Sequence, residues 1–437
     1  MTNTITKVIS FISAIVIAAS CLIIPNTYAN TTSAYEAGGN QAERFILSES
    51  MFTEAELKLA DKLLDGFLNR DDTISLTEFK IPGSDYERVY TIADYVDMTH
   101  PEIFWTVDNA CAKFEFASGL YSSKITGNLT EFKQSYWFSK SEMATAQAKV
   151  DKAISTLLDS INDDWSDIEK AMYVHDYIAS ICSYNDNEDD NVATIYSVFV
   201  LHEANCRGYS RAYQYIMNEL GIDCIWANSE DHLWNKIKID GEWYNVDVCK
   251  DDLAERTQYV TDPSTFAQNS VLYTYFMVSD DVMEEEHGKV YSLYSADDTS
   301  YDNAFWRSTR TQFVYHDATD TWYGCTDDGI VSYCFATNKL KRIYSFKENW
   351  KANSGKAHYA VNLSNVVMDG NMIYFNTNKA VLSYNISTKT LRTVVTSSGC
   401  QSGVKQIYYL YASNNTLKYA VGTDMYTITN IYKAKDL

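Results

Sequence analysis

Three residues near the middle of the chain have the types and surroundings that nucleophilic chemistry requires: Cys206, His232 and Asp247. A thiol attacks as its thiolate, so it needs a place that stabilises negative charge and a neighbour that carries protons. Cys206 meets the first need. It follows Asn205, a good N-cap residue, and precedes Tyr209, Ala212, Tyr213, Ile216, Met217 and Leu220 at helical spacing, with Gly221 as the stop. The thiol therefore falls in a first helical turn, where free amide N–H groups and the helix dipole favour an anion. Cys224, within Ile222-Asp223-Cys224-Ile225, reads instead as a buried structural thiol.

The proton carrier and its partner come from one β-hairpin. Asp240-Gly241 separates two strand-like runs, His232 to Ile239 and Glu242 to Asp247, and is a strong two-residue turn signal. That turn sets Trp234 opposite Asp247 and His232 opposite Cys249. His232 and Asp247 become diagonal neighbours on one face, within hydrogen-bonding reach after a small side-chain adjustment. Leu233, Ile237, Ile239, Val246 and Val248 take the other face and suit a core. A slip of one residue would put imidazole and carboxylate on opposite faces. Trp234 and Trp243 share the His232 face and are candidates to wall a cleft, with plain packing as the alternative. His202, on the approach to Cys206, is a further cleft candidate, and His175 reads as packed within its own helix.

These segments resemble the transglutaminase-like superfamily of papain-type cysteine enzymes, in a bacterial secreted form. Cys206-Arg-Gly-Tyr-Ser-Arg-Ala-Tyr213 is similar to its cysteine motif, His232-Leu-Trp-Asn235 to its histidine motif, and Gly241-Glu-Trp-Tyr-Asn-Val-Asp247 to its final strand. His175-Asp-Tyr-Ile178, Pro101-Glu-Ile-Phe-Trp105 and Tyr275-Phe-Met-Val-Ser-Asp280 with His287 resemble flanking segments. The resemblance is clear over about residues 165–290 and weaker back towards residue 45. It implies Cys206 as nucleophile, His232 as general acid/base and Asp247 as the orienting carboxylate, acting through a thioester on an amide or peptide bond. Val248-Cys-Lys-Asp-Asp252 and Leu201-His-Glu-Ala-Asn205 depart from the usual pattern, which bears on the shape of the acyl-binding cleft. Peptidase or amidase action and glutamine acyl transfer remain alternatives, since the triad is common to both. The other reading is a non-catalytic extracellular binding or adhesion protein that uses its C-terminal repeats.

The elements that must position these residues follow from periodicity. A chain of 437 residues is too long for one ordinary core. Leu57, Ala60, Leu63, Leu64 and Phe67 predict one helix, and Tyr86 to Val96 a second that stops before Pro101. A third is marked by Met143, Ala146, Val150, Ile154, Leu157, Leu158 and Ile161. Ser166-Asp-Ile-Glu169 is a capping box opening a fourth. From about residue 300 the pattern becomes short β runs. Trp322 to Tyr333 recurs as Ile373 to Tyr384, and a weaker third copy is expected near Leu417. The expected fold is α+β: a Cys-bearing helix packed on an antiparallel sheet bearing His and Asp, an α/β N-terminal region and a β-rich C-terminal domain. The expected divisions are a signal peptide at 1–29, the N-terminal region at 30–140, the catalytic core at 141–290 and the repeats at 291–437.

Composition narrows the partners. Lys7 followed by the uncharged run Val8 to Ile24 and Thr27-Tyr-Ala29 reads as an export signal cleaved after Ala29. A lipoprotein modified on Cys21 and a retained N-terminal anchor are lesser alternatives. Secretion is therefore expected, with no membrane insertion after cleavage. The net charge of −22 argues against nucleic acid and anionic membranes and leaves a protein or peptide substrate, cell-wall peptide among them. No cofactor is implied. The acidic loop Asn185 to Asn191 lacks the glycine and terminal glutamate of a calcium loop, and His202, Cys206, His232 and Cys249 lack zinc-ligand spacing.

Overall fold

The computed structural model describes residues 21–25, 46–107, 111–115, 127–187, 191–252, 271–309, 311–347, 350, 364–400, 404–423 and 428–437. Residues 1–20 and 26–45, which hold most of the expected signal segment and the mature terminus, lie outside them, as does part of the acidic loop. Among the described residues no helix is long and apolar enough to cross a membrane.

The N-terminal region pairs helices with a small sheet. Helix α1 (Glu54–Asn69) opens with Thr53, whose hydroxyl accepts from Glu56 N while Glu56 accepts from Thr53 N. Helix α2 (Tyr86–Thr99) ends before Pro101 as its sequence requires. The sheet has the order β1 (Cys21–Pro25), β3 (Cys111–Glu115), β4 (Leu129–Lys133), β2 (Thr73–Ser75). Cleavage after Ala29 would leave its last three strands.

Helices α3 (Lys140–Leu158) and α4 (Asp167–Ile181) each carry a capping box, from Ser139 with Glu142 and Ser166 with Glu169. After a π-helical turn at Ser197–Leu201 and the short pair β5 (Ser183–Tyr184) and β6 (Glu203–Ala204), helix α5 (Cys206–Glu219) lies on a five-stranded antiparallel sheet. That sheet runs β10 (Phe276–Val278), β9 (Glu242–Val246), β8 (Leu233–Ile239), β7 (Cys224–Asn228), β11 (Tyr291–Ser292). Asp240 and Gly241 both have positive φ, 52° and 93°, so the turn twists with the strands and fixes the expected register: Ile239 faces Glu242 and Asn235 faces Val246.

Two expectations about this hairpin need correction. Pairing stops at Asn235 and Val246. Beyond it the chain turns into a short helix, α6 (Val248–Asp251), so His232 does not face Cys249 across a ladder. The His232 face is also not open. Tyr213, Ile216 and Met217 of α5 share a core with Ile237, Tyr244 and Val246 on one side. On the other, Trp234 is buried with Ala227, Tyr275, Val278 and Met283 beneath helix α7 (Asp280–His287). Burying each such large side chain stabilises the fold by about 1.5–3 kcal/mol, which a solvated face would forgo.

Three antiparallel meanders follow: β12 (Val314–His316) to β15 (Lys339–Ser345), β16 (Val366–Asp369) to β19 (Thr390–Thr396), and β20 (Gln406–Ser413) to β22 (Ile428–Asp436). The repeat extends to detail, because the bulge after Ile330 recurs after Val381. The third copy falls where expected, after a tight turn at Asn414-Asn415. Leu417 is the second residue of β21 (Thr416–Gly422), as Trp322 and Ile373 are of β13 (Thr321–Thr326) and β17 (Met372–Asn376). The first meander is fused to the helical body: Phe313, Trp322 and Tyr333 belong to the main core, and Trp322 Nε1 donates to Glu169 at 2.7 Å.

Gly208, in the first turn of α5, shows how tightly the Cys206 end is packed. A Cβ there would lie 2.6 Å from the Val192 carbonyl oxygen and 2.8 Å from Ala204 Cβ. Gly208→Ala is expected to destabilise the protein by about 1–3 kcal/mol, read from the denaturant midpoint.

Candidate active site

Cys206 is the first residue of α5. Asn205 has an extended backbone, and its side chain accepts from Gly208 N at 3.1 Å, which completes the N-cap. Ser210 locks the turn to the sheet, donating to the Cys206 carbonyl at 2.9 Å and approaching the Leu233 carbonyl at 3.2 Å. The thiol is half-buried against Met98, Trp226 and Leu233.

His232 stands just before β8 and Asp247 just after β9, so both leave the hairpin at the same end. His232 Nε2 and Asp247 Oδ2 are 2.7 Å apart. Asp247 is buried and caps α6 with its other oxygen, which accepts from Lys250 N at 3.0 Å. With Nε2 spent on the carboxylate, Nδ1 is the imidazole nitrogen left to serve a thiol. Burial opposes charge on His232, but the Asp247 carboxylate and then Cys206 prevail and push it up to about 10. Burial likewise resists the charge on Asp247, yet His232 and the Lys250 amide hold it below the usual carboxylate range. The end of a helix, an imidazole and a buried carboxylate thus meet at one point, an arrangement suited to a thiolate–imidazolium pair.

The other candidates fall in different places. Trp234 is fully buried, stacks on His232 with ring centroids 5.9 Å apart and donates Nε1 to Asn245 at 2.8 Å, so it backs the imidazole rather than walling an open cleft. Trp243 lies at the turn end of the hairpin, opposite Lys238, and stacks on Tyr294 at 4.9 Å. Strand geometry carries it away from the site. His202 is exposed, in a left-handed conformation after the π-helical turn, and its carbonyl accepts from Ser183 N at 2.9 Å. Cys249 is buried in α6, and all seven cysteines whose side chains are described are free thiols.

Several contributors were not legible as site residues. His287 ends α7 with its ring 5.1 Å from that of His232 and its Nε2 3.7 Å from Asp247 Oδ2. One ligand atom from each of His232, Asp247 and His287 lies within 4.8 Å of the others. Asp97 of α2 binds both Arg207 and Arg211 of α5, tying the N-terminal region to the Cys206 helix. His175 is buried between Asp176 at 3.1 Å and Asp251 at 3.3 Å. Asp251 also accepts from Tyr275 N at 3.1 Å, and the Tyr275 carbonyl accepts from Asp247 N at 3.2 Å. The buried imidazole is thus linked to the backbone of the triad carboxylate.

With this geometry in view, comparison with known proteins supplies a class. The profile of the transglutaminase-like superfamily matches residues 155–248, and this segment is a transglutaminase-like domain. A comparison with curated proteins returned no match. Solved structures similar to the chain include a TGase (17% identity, TM-score 0.21, covering 29% of this chain and 43% of that one) and the N-terminal domain of Nup159 (13%, 0.17, 28% and 33%). A third is TolB from Acinetobacter baumannii (15%, 0.16, 49% and 44%). The chain spans under half the length of each, and at these scores overall similarity carries no argument.

The buried His175 cluster has a testable signature. Burial disfavours its charge, but Asp176 and Asp251 outweigh that and raise it to about 9. A group raised above its ordinary 6.5 contributes stability in full below that pH and loses it as pH climbs through about 9. His175→Gln leaves buried carboxylates uncompensated and is expected to cost about 3–5 kcal/mol near neutrality. Urea unfolding of the wild type should weaken between pH 6.5 and 9 more steeply than that of the variant, which keeps only the share due to His232.

Proposed function

We propose that the protein is a cysteine-dependent enzyme that acts on amide or peptide bonds through a thioester. The observation that carries this reading is the buried Asp247 carboxylate holding His232 at 2.7 Å, with Cys206 at a helix start as a further group that favours the charged imidazole. The Cys206 thiolate attacks the carbonyl carbon, forming a C–S bond and placing negative charge on the carbonyl oxygen. The Cys206 backbone N–H, at the start of α5, would be one donor to that charge. As the intermediate collapses, His232 passes its proton to the leaving amine and the C–N bond breaks. Water or a second amine then attacks the thioester carbon, His232 takes up its proton, and the C–S bond breaks, releasing the acid or new amide and restoring the Cys206 thiolate. Asp247 keeps the imidazole in place and stays ionised throughout. The choice between water and amine separates hydrolase from acyltransferase. We also infer that the protein works outside the cell on a protein or peptide substrate, cell-wall peptide included. This rests on the export-like N-terminus and the acidic composition.

The test is to incubate the mature protein and its Cys206→Ala variant with a peptide library, with and without a labelled primary amine. Cleavage or amine incorporation by the wild type alone is the expected result, and equal action by the variant overturns the reading. Once a substrate is found, activity should fall as pH rises through about 10, where His232 loses the proton the leaving amine needs. In Asp247→Asn the carboxylate that raises His232 is gone, so the same alkaline limit should move to lower pH.

A further inference from the structure

Among the described residues, His287 stands at the triad as an ionisable side chain without a task in that mechanism. It is delivered there by a substantial anchor. The buried Lys236 of β8 pairs with Asp280 at the start of α7 at 2.8 Å, and Asn245 of β9 donates to the same carboxylate at 2.8 Å. The helix then runs its length and ends with His287, followed by Gly288 at a positive φ of 72°. The His287 side chain is 6% exposed, and its Nε2 faces Asp247 Oδ2 at 3.7 Å with no hydrogen-bond partner among the described residues. Its ring lies 5.1 Å from His232, 5.3 Å from Trp234 and 5.3 Å from Tyr275, and the first two of these rings are within 27° of parallel to it. A buried nitrogen without a partner costs free energy, so a ring held this way calls for a reason.

We propose that His287 is a positioning residue of this site: its ring clamps the His232 imidazole from behind, and its Nε2 shares the Asp247 carboxylate. The inference rests on the triad reading given above. Two consequences follow from the geometry. The clamp denies the His232 ring the rotation that would break its bond to Asp247. The shared carboxylate couples the two histidines, because Asp247 cannot satisfy two imidazolium ions equally. The charged groups around His287 agree with this. Burial lowers its proton affinity, Asp247 and Glu286 raise it, and His232 and Lys250 lower it, leaving it below the ordinary histidine value. His287 is therefore the neutral member of the pair while His232 carries the proton.

The test uses the mature chain and needs no substrate. Iodoacetamide alkylation of each cysteine is followed by peptide mass spectrometry at pH 7 in the wild type, His287→Ala and His287→Phe, with melting temperatures recorded alongside. Loss of the clamp in His287→Ala is expected to slow Cys206 alkylation about tenfold. His287→Phe, which restores a ring without nitrogen, is expected to recover most of that loss. In parallel, the His287 titration is followed by NMR of histidine-labelled protein in the wild type and in His232→Gln. With its competitor gone, His287 is expected to titrate about one unit higher, claiming Asp247 for itself. An alkylation rate in His287→Ala equal to that of the wild type, or a His287 titration unmoved by His232→Gln, overturns the inference. If His287→Ala fails to fold, the titration arm still decides. A wild-type Cys206 that reacts no faster than the other free thiols would instead remove the triad reading, and this inference with it.

Discussion

The site depends on one buried ion pair. Asp247 is out of water, and an isolated carboxylate there would be very costly to ionise. It stays charged because His232 is 2.7 Å from one oxygen and the Lys250 amide meets the other. The same carboxylate therefore ends a strand, starts a helical turn and fixes an imidazole. Moving any of these elements would disturb the other two. This is why the neighbouring structure is so heavily cross-tied: Ser210 to Leu233, Asn235 to Ser210, Tyr275 to Asp247, and Asp97 to the two arginines behind Cys206.

Much of this was readable from local sequence, for local reasons. Asn205 and Gly221 bound a helix through their backbone preferences, so the position of Cys206 in the first turn followed without knowledge of anything distant. Asp240-Gly241 admits essentially one kind of turn, and that turn fixed which residues face one another. The bond from His232 to Asp247 followed from the register, even though the ladder ends earlier than expected.

What was not legible is tertiary. Nothing in Trp234 or Lys236 announces that a helix some forty residues later will cover their face, since an alternating strand reads the same whether its second face is wet or capped. His175 was read as packed within its own helix, but it also bonds Asp251, in a turn whose helical form appears only once Asp247 caps it. His287 stood in a recognised flanking segment, yet its placement depends on the Lys236–Asp280 anchor, which joins residues far apart in the chain. The strand repeats were visible because their period is written in the sequence. Their fusion to the helical body through Trp322 and Glu169 was not.

The three meanders are joined in series through their leading strands, with β16 packed against β12 on one side and β20 on the other. Among the described residues only the first shares the body's core. The first and second share one apolar cluster, and the second and third share another. Their trailing strands are largely exposed and studded with cations such as Lys339, Lys341, Arg392 and Lys433, which discourages pairing with a neighbouring molecule's edge. In an array built this way, a change in the third copy must keep its half of the cluster shared with the second, while it leaves the Cys206 neighbourhood untouched.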